Sequence, residues 1–92
     1  MRDIEAIIAR LRLTHPGVSA TQLAVRYPGA DDDGLWFFRH PTTEVEVQLE
    51  SSTGSCPFVF ESTGSADRLI ASTVEQSVAF VVSGLGISAP AA

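Results

Sequence analysis

The segment from residue 31 to residue 50, DDDGLWFFRHPTTEVEVQLE, constrains the fold more than any other part of the chain. Glu44, Val45, Glu46, Val47, Gln48, Leu49 and Glu50 alternate polar with apolar side chains, the period of a half-buried strand. Residues 35–39 are rich in the aromatic side chains that suit strands. His40-Pro41-Thr42-Thr43, between the two runs, is a connection of common hairpin length. Closed by that connection, the hairpin sets Arg39 against Glu44, Phe38 against Val45, Phe37 against Glu46, Trp36 against Val47 and Leu35 against Gln48. One face then carries Trp36, Phe38, Val45, Val47 and Leu49, and the other Leu35, Phe37, Arg39, Glu44, Glu46, Gln48 and Glu50. The first reads as core. A slip of one residue would bring glutamates beside the aromatic pair, which selects this pairing.

The rest of the chain supplies layers for that hairpin. Ile4, Ile7, Ile8 and Leu11 recur on one helical face, with Asp3 and Glu5 in the first turn and Arg10 and Arg12 near the end. That distribution suits the helix dipole and predicts a helix over residues 3–13, closed by His15-Pro16-Gly17. Leu23, Val25 and Tyr27 alternate with Gln22, Ala24 and Arg26, which predicts a strand over residues 21–27 and a turn through 28–34. After a polar loop over 51–57, Phe58 and Phe60 point inward and Val59 and Glu61 outward in a fourth short strand. Residues 67–71 read as a helical turn. Ser72 and Glu75 have capping-box spacing, and Val74, Val78, Val81, Val82 and Leu85 form an apolar stripe. Together they predict a second helix over residues 73–83, stopped by Gly84 and Gly86, with a fraying tail over 87–92. The expected fold is α+β: helix, four-stranded antiparallel meander, helix, with both helices on one face of the sheet and a single domain over residues 1–92. Double-stranded-RNA-binding domains have a similar element order, but here the last helix carries Glu75 and no Lys or Arg, so the likeness stops at topology.

Charge narrows the partners. Residues 31–61 hold Asp31, Asp32, Asp33, Glu44, Glu46, Glu50 and Glu61 against Arg39 alone, so the acidic surplus belongs to the middle of the chain, whose overall formal charge is -5. Such a field repels phosphates and argues against nucleic acid, leaving basic or neutral partners. Cys56 is the only cysteine, so no intrachain disulfide forms and a reducing compartment fits. The first ten residues interleave charges with apolar residues, unlike a signal peptide, and the apolar run over 78–82 is far short of a membrane span. A soluble cytoplasmic protein is expected, with no membrane association.

Candidate chemistries are few. Asp31, Asp32 and Asp33 offer hard oxygen ligands, but the EF-hand spacing fails and acidic turn residues suit a strand entry for local hydrogen-bonding reasons. Glu44, Glu46, Glu50 and Glu61 on an open face lack the cleft that distinguishes two catalytic carboxylates. Cys56 would need His15 or His40 as a base, and no spacing brings either close, so a buried inert thiol is the expectation. One cysteine and two scattered histidines do not make a zinc site. No catalytic residue, metal or cofactor is expected. The alternative is a small-ligand binder or enzyme built on Cys56, the 51–57 loop and His40 or the carboxylates.

The strings DDGLWFFR, from Asp32 to Arg39, and VQLESSTGSCPF, from Val47 to Phe58, resemble those of small uncharacterised bacterial proteins of about this length, a resemblance that implies no activity. In size, acidity and fold class the chain is also similar to immunity proteins of bacterial toxin systems and to secretion chaperones, which carries over no residue. Leu35 and Phe37 stand out beyond these likenesses. Two large apolar side chains on an outward sheet face, framed by Arg39, Glu44, Glu46, Gln48 and Glu50, have the make-up of a contact surface for a protein partner or a second copy. In a homodimer through that face, Glu46 and Glu61 would take Arg39 or Arg26 from the partner.

Overall fold

The helix predicted over residues 3–13 forms as α1, Asp3–Thr14, in a computed structural model whose described residues are 2–22, 34–64 and 67–87. Its first turn has no side-chain cap at Arg2. The 51–57 loop serves instead: the Gly54 carbonyl accepts from Ile4 N at 2.9 Å, and the Asp3 carboxylate accepts from Cys56 N at 2.9 Å. An orphan helix donor is thereby satisfied by the loop between two strands, which ties the start of α1 to one end of the sheet.

Among the described residues five strands form one antiparallel sheet in sequence order: β1 Ser19–Gln22, β2 Leu35–Arg39, β3 Val47–Glu50, β4 Phe58–Ser62 and β5 Leu69–Ala71. A second helix, α2, follows over Val74–Leu85. The α+β class and antiparallel meander match expectation, but there are five strands rather than four. The fifth replaces the helical turn predicted over residues 67–71. Phe58 pairs with Ala71, Val59 with Ile70 and Phe60 with Leu69, and Ala71 is fully buried. Pairing satisfies the otherwise free edge of β4, a gain that a lone helical turn does not offer. The strand predicted over 21–27 begins earlier, at Ser19, and residues 23–27 lie outside the described residues, as do Asp31, Asp32, Asp33 and 88–92.

The hairpin register differs from the predicted one by two residues. Phe38 pairs with Val47, Phe37 with Gln48, Trp36 with Leu49 and Leu35 with Glu50. Glu44 and Val45 belong to the connection, which is longer than its sequence suggests because local hydrogen bonds fold it. The His40 carbonyl accepts from Thr43 N at 3.1 Å, His40 Nδ1 accepts from Thr42 N at 3.2 Å, and Thr43 Oγ1 accepts from Val45 N at 3.2 Å. Such side-chain bonds offer the backbone an alternative to the ladder. Because the shift is even, the side chains on β2 and β3 keep their predicted faces.

Trp36, Phe38, Val47, Leu49, Phe58, Phe60 and Ala71 from the sheet bury together with Ile4, Ile7 and Leu11 of α1 and Val81 and Leu85 of α2. Both helices thus contribute to a core on one face of the sheet. Val45, expected in the core, only packs against its margin. In α2 the buried line runs through Ser77, Val81 and Leu85, leaving Val74, Val78 and Val82 part-buried beside it. The Ser77 hydroxyl donates to the Thr73 carbonyl at 2.8 Å, which satisfies it within its own helix.

The capping box sits one residue later than predicted. Thr73 Oγ1 accepts from Gln76 N at 3.0 Å, and Gln76 Oε1 accepts from Ser72 N at 2.7 Å. At the other end Gly86 is left-handed, and Gly86 N and Ile87 N donate to the Ser83 and Val82 carbonyls. This is the Schellman arrangement, with Ile87 packed on the core margin. Ile87 therefore belongs to the helix stop rather than to a frayed tail. Gly84, also read as a stop, lies inside α2.

Candidate functional site

Opposite the helices, the sheet presents an outer face whose rows follow from the register. Leu35, Glu50, Val59 and Ile70 make one row across β2, β3, β4 and β5, and Thr21, Phe37, Gln48 and Glu61 make the next across β1 to β4. Leu35, Phe37 and Val59 are half-buried and Ile70 is 54% exposed. Two cross-strand ion pairs flank them: Arg39 Nε donates to Glu46 Oε2 at 2.7 Å, and Arg68 Nε lies 2.9 Å from Glu61 Oε1. Exposed pairs of this kind contribute about 0–1 kcal/mol each, so they set the polarity of the rim more than stability.

The residues expected to form this surface do not all reach it. Leu35, Phe37, Arg39, Gln48 and Glu50 lie on β2 and β3 with the predicted facing. Glu46 sits just before β3, held beside Thr63, which donates its N to the Glu46 carbonyl at 2.9 Å. Glu44 is exposed in the connection and leaves the sheet face altogether. The two-residue register shift is the reason: it gives Arg39 to Glu46 instead of Glu44. Glu46 and Glu61 each pair with an arginine of their own chain, Arg39 and Arg68, rather than depending on the partner's Arg39 or Arg26. Sequence reasoning missed Ile70 and Arg68. Their signal was one β-branched residue and one charge at alternating positions, too short a run to establish a period.

Cys56 lies at the opposite end of the sheet from both histidines. The 51–57 loop joins β3 to β4, whereas His40 lies in the β2–β3 connection and shares a shallow depression with His15, Gly17 and Ile87. No histidine base serves the thiol. Desolvation by burial, and then the neighbouring Asp3 carboxylate, push the Cys56 thiol up from its ordinary value, with Ser77 opposing weakly. A thiol held protonated is a poor nucleophile. The loop itself is engaged, Ser51 Oγ donating to the Ser55 carbonyl at 2.6 Å and Gly54 meeting α1. Among the described residues no group of three or more His, Cys, Asp or Glu is placed to hold a metal ion, and no helix is long and apolar enough to cross a membrane.

No family model, curated protein or solved structure matches the chain.

Proposed function

We propose that the chain is a non-catalytic interaction module that binds a protein partner through the outer sheet face centred on Leu35 and Phe37. The observation that carries this reading is two apolar pairs on the face away from both helices, Leu35 and Phe37 on β2 and Val59 and Ile70 on β4 and β5, divided by Gln48 and Glu50 of β3 and flanked by Arg39–Glu46 and Glu61–Arg68. An apolar centre inside a polar rim is the common anatomy of a contact surface. Glu50 is exposed on this face, so the partner's rim is neutral or basic. A toxin-immunity or secretion-chaperone role is a version of the same reading, in which the partner is a toxin or a secreted effector. Self-pairing through this face is less favoured, because its charge argument is met within one chain.

Partner retention tests the proposal. Immobilised wild type is compared with Phe37→Glu, and with Leu13→Glu as a control on α1, where Leu13 is 85% exposed. Phe37→Glu is expected to lose a partner that wild type and the control keep, while circular dichroism reports an intact fold. Identical partner sets for the three proteins overturn the reading.

A further inference from the structure

We infer that the edge of β1 is a docking site for the C-terminal end of a partner protein: an extended chain end pairs antiparallel with β1, lays an apolar side chain between β1 and α1, and sets its terminal carboxylate on Arg12. The inference does not rest on the reading of the outer face. β1 ends the strand order, all four of its residues are exposed, and among the described residues nothing pairs with its far side. Ala20 pairs with Phe38 and shares its helix-side face, yet Phe38 is fully buried and Ala20 is exposed. The helix layer therefore stops short of β1. It leaves a groove of about 230 Å³ lined by Ile8, Leu11 and Arg12 of α1 and by Val18, Ser19 and Ala20 along the strand. Leu11 is buried in the core and Ile8 and Val18 pack against it, so the floor of the groove is apolar.

Charge and chain direction identify the occupant. In a chain of charge -5, Arg2, Arg10, Arg39 and Arg68 each pair with a carboxylate of their own chain. Arg12, exposed on the lip of the groove, has no such partner among the described residues. Its guanidinium offers a carboxylate two parallel N–H donors, so the complementary occupant is an anion of that shape. An open strand edge takes an extended backbone, and the apolar floor takes a side chain. The chain reverses between α1 and β1 over residues 15–18, so Arg12 lies toward the start of β1 and Ile8 toward its far end. A strand added antiparallel to β1 therefore runs its C-terminal end toward Arg12. The ladder also stops there, since Val18 N already donates to the His15 carbonyl at 3.0 Å and Pro16 has no N–H. A chain that ends at this point loses nothing by not continuing, which favours a terminal carboxylate over an acidic side chain in mid-strand. With its last residue opposite Ala20, the occupant turns that side chain to the helix side, over Ile8, Leu11 and Val18.

The probe is a fluorescein-labelled hexapeptide, Gly-Ser-Thr-Val-Thr-Leu, with a free C-terminus. It is compared with its C-terminal amide and with an amidated peptide in which Glu replaces the last residue. Fluorescence anisotropy, with protein up to about 1 mM because so small a contact binds weakly, is expected to show the free acid binding wild type at least about tenfold more tightly than either amide. Arg12→Gln removes that preference. Ala20→Phe, which fills the groove, weakens the free acid at least about tenfold. Phe37→Glu leaves its affinity unchanged, which keeps failure here distinct from failure of the outer-face reading. A second measurement needs no variant: on adding the free acid, backbone amide shifts in the NMR spectrum move at Ser19, Ala20 and Thr21. No binding of the free acid, an amide that binds as tightly, a preference that survives Arg12→Gln, or shift changes that leave β1 untouched overturns the inference.

Discussion

Cys56 has the residue type of a nucleophile in surroundings that disable it. Its backbone N–H is held by Asp3, which fixes a carboxylate beside the sulfur, and partial burial adds a penalty on the thiolate. Burial is the larger cause and Asp3 the second; both favour the protonated form, while the Ser77 hydroxyl gives the thiolate partial relief. Alkylation by iodoacetamide as a function of pH is therefore expected to have a midpoint above that of an ordinary free thiol. Asp3→Asn moves the midpoint down, because a negative charge leaves while the loop contact is retained in kind. The linkage has a definite sign. A thiol whose folded pKa is raised gives stability that is fully present below the unfolded value and is lost as pH rises through the folded one. The wild-type urea midpoint thus falls on the alkaline side, and Cys56→Ser shows less of that fall. A wild-type alkylation midpoint at or below the free value would falsify the assignment of Cys56 as inert.

At the level of elements, α2 lies close on the sheet because Gly84 lacks a side chain. A Cβ built there would come within 2.8 Å of Phe60 Cζ and 2.9 Å of Val47 Cγ2, both in the buried cluster. Two effects compete in Gly84→Ala. Alanine gains about 1 kcal/mol in helix propensity, and overpacking a filled core costs about 1–3 kcal/mol. Phe60 is also tilted against Phe80, their ring centroids 5.4 Å apart, so its ring has little room to yield. Overpacking wins: Gly84→Ala is expected to lower stability by about 1 kcal/mol and Gly84→Val by more. Urea midpoints at unchanged m-value measure both, and an alanine variant more stable than wild type would show that the helix can lift without loss.

Gly84 also shows where sequence reading stops. It reads as a helix breaker by type, and only the sheet beneath explains a glycine inside α2. Trp36, Phe38, Val47, Leu49, Phe58 and Phe60 were legible as core because period two survives an even shift in register. The register itself was not legible. Glu44, Val45 and Glu46 continue the alternation of β3, yet Thr43 Oγ1 takes the Val45 amide locally and Glu46 bonds across to Thr63 instead of to β2. β5 was hidden by its length, for Leu-Ile-Ala shows no period, and Ser77 was hidden among valines because its hydroxyl is satisfied within α2. For the candidate site, the facing of Leu35 and Phe37 could be read, whereas the partners of Arg39 and Glu61 depended on register and on an unseen strand.

For the whole molecule, the charge of -5 sets how a partner on the outer face would respond to salt. A basic partner is drawn by the acidic field over distances comparable to the Debye length, about 10 Å at 0.1 M and about 3 Å at 1 M, whereas a neutral one is held by apolar contact alone. Raising sodium chloride from about 0.05 to 0.5 M is therefore expected to slow the capture of a basic partner severalfold and to leave the dissociation rate nearly unchanged, because screening acts on the encounter more than on the packed contact. Surface-immobilised binding kinetics read both rates. An association rate that does not change over this range would mean that the acidic field takes no part in recognition and that the partner's rim is neutral.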